Sequence, residues 1–152
     1  MTSRFKTIVA PSDFSESSRN ALHYALEMVA DGGTIIVCHV VDDIPLTYGY
    51  VGLAMPPGDL RSRMATEAKE ELVAFVPVLK EGQTVETVVL HGSPSVEIVN
   101  LATERHADLV VMGTHGRTGL QHALLGSVAE KVTRKSPCPV LVVREGAARE
   151  ET

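Results

Sequence analysis

The sequence predicts an α/β protein, a single doubly wound five-stranded parallel sheet with helices on both faces, of Rossmann-like kind. Three observations carry this. Strand-like and helix-like periodicities alternate along the whole chain, which is the pattern of βα units and parallel pairing. The run Thr34–Val41 (TIIVCHVV) is apolar almost throughout, as a strand covered on both faces must be. The length, 152 residues, suits one domain.

The elements follow in order. Phe5–Ala10 (FKTIVA) is short and β-rich, and Pro11 closes it as the first strand. Ser15 is placed to cap a helix, in which Ala21, Leu22, Ala25, Leu26 and Val29 recur at helical spacing until Gly32-Gly33 ends it. Thr34–Val41 is the second strand. Asp42–Asp59, with Pro45, Gly49, Gly52, Pro56, Pro57 and Gly58, reads as a long flexible loop. A helix resumes at Leu60, with Met64, Ala68, Leu72, Phe75 and Leu79 on one side, and Pro77 is expected to kink it or end it early. Thr84–Leu90 (TVETVVL) is the third strand. Ser93-Pro94 opens the next helix as a cap followed by proline at the first helical position, and Val96, Val99 and Ala102 are its expected inner face. Asp108–Met112 (DLVVM) is the fourth strand. Ser127 and Glu130 have capping-box spacing ahead of a last helix that Pro137 and Pro139 terminate. Pro139–Val143 (PVLVV) is the fifth strand, residues 1–144 form the domain, and 145–152 are a polar tail.

Composition excludes several classes. At this length about 70% of the unfolded surface can be buried, so a core forms without disulfides or metals. The formal charge is −5, with no Lys/Arg block, which argues against nucleic-acid binding. No apolar run approaches the roughly 20 residues that cross a bilayer, so no membrane insertion is expected. The start MTSRFKTIVAPSD lacks a signal-peptide core, and the expected location is the cytoplasm. Cys38 and Cys138 belong to no CxxC pair and read as inert thiols.

The stretch Gly113 to Ser127 (GTHGRTGLQHALLGS) carries the chemistry. Two residues separate Gly113 from Gly116, and nine separate Gly116 from Gly126-Ser127. The glycines follow directly on a strand and precede a helix, placed in a way that packing does not require. Such a junction brings backbone N–H groups and a helix N-terminus against an anion, and a Cβ would hold a phosphate off the main chain. Ligands of open α/β sheets bind beyond the carboxyl ends of the strands, where strand order reverses. Ser12 and Asp13 follow the first strand and Gly113 the fourth, so they fall at such ends. No metal-protease HExxH, nucleophile elbow or GxxxxGK[ST] loop is present. Of the six histidines, His39 reads as buried or at a pocket edge and His115 as a solvated loop residue. This is binding machinery without obvious catalytic machinery.

The pattern Gly-x2-Gly-x9-Gly-Ser after the fourth strand resembles the ATP-binding signature of the universal stress protein family. APSDFSES at 10–17, CHVVDD at 38–43 and SPCPVLVVR at 136–144 extend the resemblance over essentially the whole chain. It implies strand order 3-2-1-4-5, which separates the two cysteine-bearing strands, and a homodimer built around the last strand, Pro139 to Val143. It also implies a site. Gly113, Gly116, Gly126 and Ser127 would hold phosphates through backbone N–H groups, and Val128 N–H would extend the cradle. Asp13 would meet ribose hydroxyls or a metal, with Pro11 and Ser12 lining the pocket beside it. Val40 would pair with the adenine edge through its backbone, Met112 would pack beside base or sugar, and Arg117 would reach the outer phosphates. The function so implied is an ATP-binding regulatory stress-response protein read by a partner protein, with Mg2+ or Mn2+ carried on the phosphates. The alternative is a slow ATPase or a binder of AMP or cyclic AMP.

Overall fold

The computed structural model describes residues 4–42, 57–114 and 125–144. Five strands alternate with four helices: β1 (Phe5–Pro11), α1 (Glu16–Met28), β2 (Val29–Val41), α2 (Pro57–Phe75), β3 (Thr84–His91), α3 (Pro94–Glu104), β4 (Leu109–Gly113), α4 (Ser127–Lys135) and β5 (Val140–Val143). All pairings are parallel, in the order β3-β2-β1-β4-β5. The predicted fold class is the observed one.

The period of two along the strands sorts the core onto two faces. Ile8 and Ala10, Ile35 and Val37, and Leu109 and Val111 turn to one face, under Leu22 and Ala25 of α1 and Leu72 and Phe75 of α2. Val9, Ile36, Cys38, Val110 and Met112 turn to the other, under Ile98 and Leu101 of α3 and Ala129 and Val132 of α4. Double coverage explains the unbroken apolar run in β2. Burial pushes the Cys38 thiol from 9.0 up to about 12, so it is neutral and no nucleophile. Cys38 and Cys138 are both free.

Four local expectations are corrected. The first helix stops at Met28, not at the glycine pair: Val29 is already extended (φ −66, ψ 140) and pairs with Phe5. The chain then makes an excursion before rejoining β1 at Thr34↔Thr7, turning through Gly32 at φ +73. Gly33 is required there, because a Cβ would stand 2.7 Å from the Lys6 carbonyl oxygen. The pairing irregularity leaves the N–H groups of Lys6 and Thr7 turned to the other neighbour. Both donate to Asp108 Oδ2, each at 2.9 Å, which places Asp108 just before β4 as a clip and not within it.

In the second helix, Pro77 acts as expected. The helix ends at Phe75, and Leu79 lies beyond it. In α3 the inner face is Ser95, Ile98, Leu101 and Ala102, whereas Val96 is 48% exposed. The larger side chains Ile98 and Leu101 win the buried row, and Val99 only flanks it. Ser93 takes the cap position with Pro94 behind it, without a side-chain cap bond. At α4 the cap is Gly126 and Ser127 is the first helical residue, so the Ser127–Glu130 capping box does not form. The helix begins one residue early because Glu130 N–H bonds the Gly126 carbonyl at 2.9 Å. The Glu130 carboxylate pairs instead with Arg134 one turn on.

Among the described residues no helix is long and apolar enough to cross a membrane.

Candidate functional site

β1 lies at the point where strand order reverses, with β2 on one side and β4 on the other. Its register with β4 consists of Ile8↔Leu109 and Val9↔Val110, whereas its register with β2 continues to Pro11↔Cys38. A crevice therefore opens between the carboxyl ends of β1 and β4, where ligands of such sheets bind.

The turn after β1 forms one wall. Pro11 and Ser12 are buried, and Asp13 is half-buried. Ser12 N–H donates to the Cys38 carbonyl at 2.7 Å, and Ser12 Oγ accepts the Phe14 N–H at 3.0 Å. Asp13 Oδ1 accepts the Ser15 N–H at 3.0 Å, an Asx turn that aims the carboxylate across the start of α1. Ser15 caps that helix as expected, its Oγ accepting the Ser18 N–H at 3.2 Å. Phe14 is left-handed at φ 66, an unusual conformation for a bulky residue. Ring contacts hold it there, 4.5 Å to His39 and 5.9 Å edge-on to Phe75. Strain of this kind persists where the surroundings over-determine it, and it clusters at binding sites.

The opposite wall is the end of β4 and the start of α4. Met112 is buried and shares its core face with Val40 and Val128. Gly113 follows, and here the sequence reading is corrected: packing does require this glycine. A Cβ on Gly113 would stand 2.2 Å from Ser17 Oγ and 2.9 Å from the Ser17 carbonyl carbon, so α1 can sit on β4 only over a bare Cα. Thr114 is buried, and its N–H donates to the Val143 carbonyl at 3.1 Å. Its carbonyl accepts the Gly126 N–H at 2.7 Å, which sets the start of α4 against the end of β4. A phosphate would compete for the Gly126 N–H. The N–H groups of Ser127 and Val128 lie in the first turn, where the helix offers no internal acceptor, at the positive end of its dipole. Ser127 is exposed and Val128 half-buried.

Val40 lies near the end of β2, in register with Leu90 of β3. The structure thus brings Pro11, Ser12, Asp13, Val40, Met112, Gly113, Gly126, Ser127 and Val128 to one edge of the sheet, on the ends of β1, β2 and β4 and the start of α4. Gly116 and Arg117 lie outside the described residues, as do residues 43–56 of the 42–59 loop, whereas 57–59 are the first turn of α2, which starts at Pro57 and not at Leu60. Among the described residues no group of three or more His, Cys, Asp or Glu is placed to hold a metal ion.

Two features of the site are not legible in the sequence. One is the conformation of Phe14, which has no glycine to signal it. The other is the bond made by His39, which lies half-buried beside the site with its Nδ1 2.8 Å from the Ser12 carbonyl oxygen. A carbonyl only accepts, so Nδ1 carries the proton in this bond. A polar residue in the last turnings of an otherwise apolar strand was the available hint.

Known proteins share both the sequence and the architecture. The universal stress protein family matches residues 4–144. Universal stress protein MJ0531 of Methanocaldococcus jannaschii is 39% identical over 145 residues, covering 93% of this chain and 83% of that one. Universal stress protein MJ0577 of the same organism is 34% identical over 158 aligned positions, covering 95% and 98%. The solved structure of MJ0577 superposes with a TM-score of 0.78 over 97% of this chain and 98% of that chain. A universal stress protein solved in complex with cAMP is 27% identical, with a TM-score of 0.58 over 92% and 97%. A match along nearly the full described chain, in sequence and in strand order alike, makes this protein a member of the universal stress protein family.

Proposed function

We propose that this chain is an ATP-binding regulatory protein of the stress response, whose nucleotide state is read by a partner protein. The observation that carries the reading is the convergence at the β1–β4 crevice of a strained, hydrogen-bonded PSDF turn, the backbone of Val40 and the amino end of α4. In this reading Ser127 and Val128 N–H, with Gly113, Gly116 and Gly126, cradle the phosphates. Asp13 meets the ribose or a Mg2+ or Mn2+ ion carried on the phosphates, a typical arrangement for magnesium. Val40 meets the base, Met112 packs beside it, Pro11 and Ser12 line the floor, and Arg117 reaches the outer phosphates.

The test is denaturing release and chromatographic identification of nucleotide from freshly purified protein, with titration calorimetry against ATP and magnesium. Gly126→Val is the informative variant. Gly126 has ordinary extended backbone that valine adopts, and the new side chain covers the amino end of α4. ATP binding in the parent, weakened about tenfold or more in the variant, a loss of ~1.4 kcal/mol, is the expected result. An empty parent that also takes up no ATP sinks the proposal. The same titration with AMP and cyclic AMP decides the second reading, which the cAMP complex of a 27% identical relative favours. Turnover with metal above the buffer rate would favour the slow ATPase instead.

A homodimer through β5 belongs to the same proposal. In the monomer β5 is an edge strand, paired on one side with β4, and its Val140, Leu141 and Val142 are only half-buried. Pairing about a two-fold axis covers both the edge groups and these side chains. Light scattering at micromolar concentration is expected to give twice the chain mass, and a concentration-independent monomer would refute the dimer.

A further inference from the structure

We infer that His39 is a positioning residue that keeps the Val40 peptide groups out of the β1–β2 ladder, so that they read the base; this rests on the nucleotide-binding role proposed above. The backbone directions along β2 are set by two bonds. Ser12 N–H donates to the Cys38 carbonyl at 2.7 Å, on the β1 side. Gly92 N–H donates to the Val41 carbonyl at 3.1 Å, on the β3 side. Successive residues of a strand send their N–H and C=O to alternate sides, so Cys38 and Val40 both face β1.

In an unbroken parallel ladder the next rung would be Val40 N–H to the Ser12 carbonyl. That carbonyl accepts instead from the His39 side chain, Nδ1 to oxygen 2.8 Å, and receives no bond from the Val40 N–H. The imidazole thus replaces a main-chain donor at the last rung. The Phe14 ring, 4.5 Å from the His39 ring and tilted by 35°, holds the imidazole in place. Among the described residues the Val40 N–H and C=O have no hydrogen-bond partner. They form an adjacent donor and acceptor, aimed from β2 into the opening beyond Pro11.

That pair selects a class of base. Adenine presents an acceptor at N1 and a donor at N6, which match the Val40 N–H and C=O. Guanine presents a donor at N1 and an acceptor at O6, the reverse order, and would set donor against donor and leave both Val40 groups unpaired. The site therefore prefers adenine nucleotides over guanine nucleotides, and His39 maintains the preference without touching the base.

Two arms test this. In the ligand-free protein, amide exchange by NMR is expected to show the Val40 N–H exchanging about 100-fold faster than the other β2 amides, as an unbonded group in a stable strand does. In His39→Leu the Ser12 carbonyl is released and the Val40 N–H becomes protected. In the second arm, calorimetry compares ATP, GTP and inorganic triphosphate. The parent is expected to favour ATP over GTP by about tenfold or more, the equivalent of ~1.4 kcal/mol. His39→Leu loses that ratio while its affinity for triphosphate stays the same, and His39→Asn, whose Nδ2–H can reach the same carbonyl, restores it. A Val40 amide as protected as its neighbours in the parent overturns the inference, as does an unchanged ATP-to-GTP ratio in His39→Leu. If the parent binds neither nucleotide, the nucleotide-binding proposal fails and base reading fails with it. The exchange arm then decides alone whether His39 holds Val40 out of the ladder.

Discussion

Gly113→Val is expected to lose more than ~3 kcal/mol of folding stability. The added Cβ would stand 2.2 Å from Ser17 Oγ and 2.9 Å from both the Ser17 Cβ and its carbonyl carbon. Contacts under 3 Å are relieved only by movement, and one of these neighbours is main chain. Ser17 is buried, at 3% exposure, Gly113 is half-buried, and β4 is an inner strand held between β1 and β5. Overpacking costs about 1–3 kcal/mol where side chains can give way, and more where backbone must move. Against a typical total stability of roughly 5–15 kcal/mol, a loss beyond ~3 kcal/mol is severe. Gly113→Ala carries the same first atom and is the gentler probe. Combined with Ser17→Gly, which removes the Oγ and Cβ contacts and leaves the carbonyl carbon, it is expected to regain part of the lost stability. Urea unfolding of the parent, the two single variants and the double variant measures the coupling. A Gly113→Ala protein within ~0.5 kcal/mol of the parent would contradict the close approach of α1 to β4. Loss of nucleotide by any Gly113 variant is therefore no measure of a phosphate cradle, whereas Gly126→Val is.

Phe14→Ala is the second large effect, about 3 kcal/mol by the same unfolding measurement. Full burial of a phenylalanine makes truncation cost roughly 3–5 kcal/mol, and Phe14 is half-buried but joined to two aromatic partners. The comparison with Phe14→Gly isolates the backbone term. Left-handed geometry costs a residue with a Cβ about 1–2 kcal/mol, and glycine gives part of this back through its freer unfolded chain. Phe14→Gly is thus expected to be more stable than Phe14→Ala by about 0.5–1 kcal/mol, the reverse of the order at ordinary positions. Alanine equal to or better than glycine would show that the φ of 66 stores no strain.

The parts of the molecule legible in the sequence are those decided by local pattern. The strands are apolar runs bounded by proline and glycine, and their burial on two faces follows from length and composition. Strand order is legible only through the family resemblance, because no local signal says that β1 lies between β2 and β4. Boundaries failed where one residue suits two states. Val29 fits the helical row of α1 as well as a strand, and Gly126 and Ser127 are both competent caps, so the first turn of α4 was displaced by one. The buried row of α3 was misread because valines and the larger Ile98 and Leu101 form competing stripes, and size decided between them. At the site, the residue types at the strand ends were legible and their reasons were not. Gly113 reads as a phosphate glycine, but the contact that requires it comes from Ser17, 96 positions earlier in the chain by the numbering. The His39 bond to Ser12 exists only once β2 lies beside β1.

The Asp108 clip has a consequence for the order in which the molecule can be made. Its carboxylate holds the N–H groups of Lys6 and Thr7, the first of them 102 residues away in sequence. The strand that becomes the middle of the sheet leaves the ribosome well ahead of β4, yet one of its two edges has no partner until Val110 has followed. Until then β1 and β2 can pair only as the inner half of an unfinished sheet. Closure of such distant pairings is the slow step of parallel architectures and the one most exposed to aggregation. Asp108 arrives one residue ahead of β4 and fastens to β1 just below the first rung they share, so the same side chain that completes an irregular strand also sets the register in which the two halves of the sheet meet.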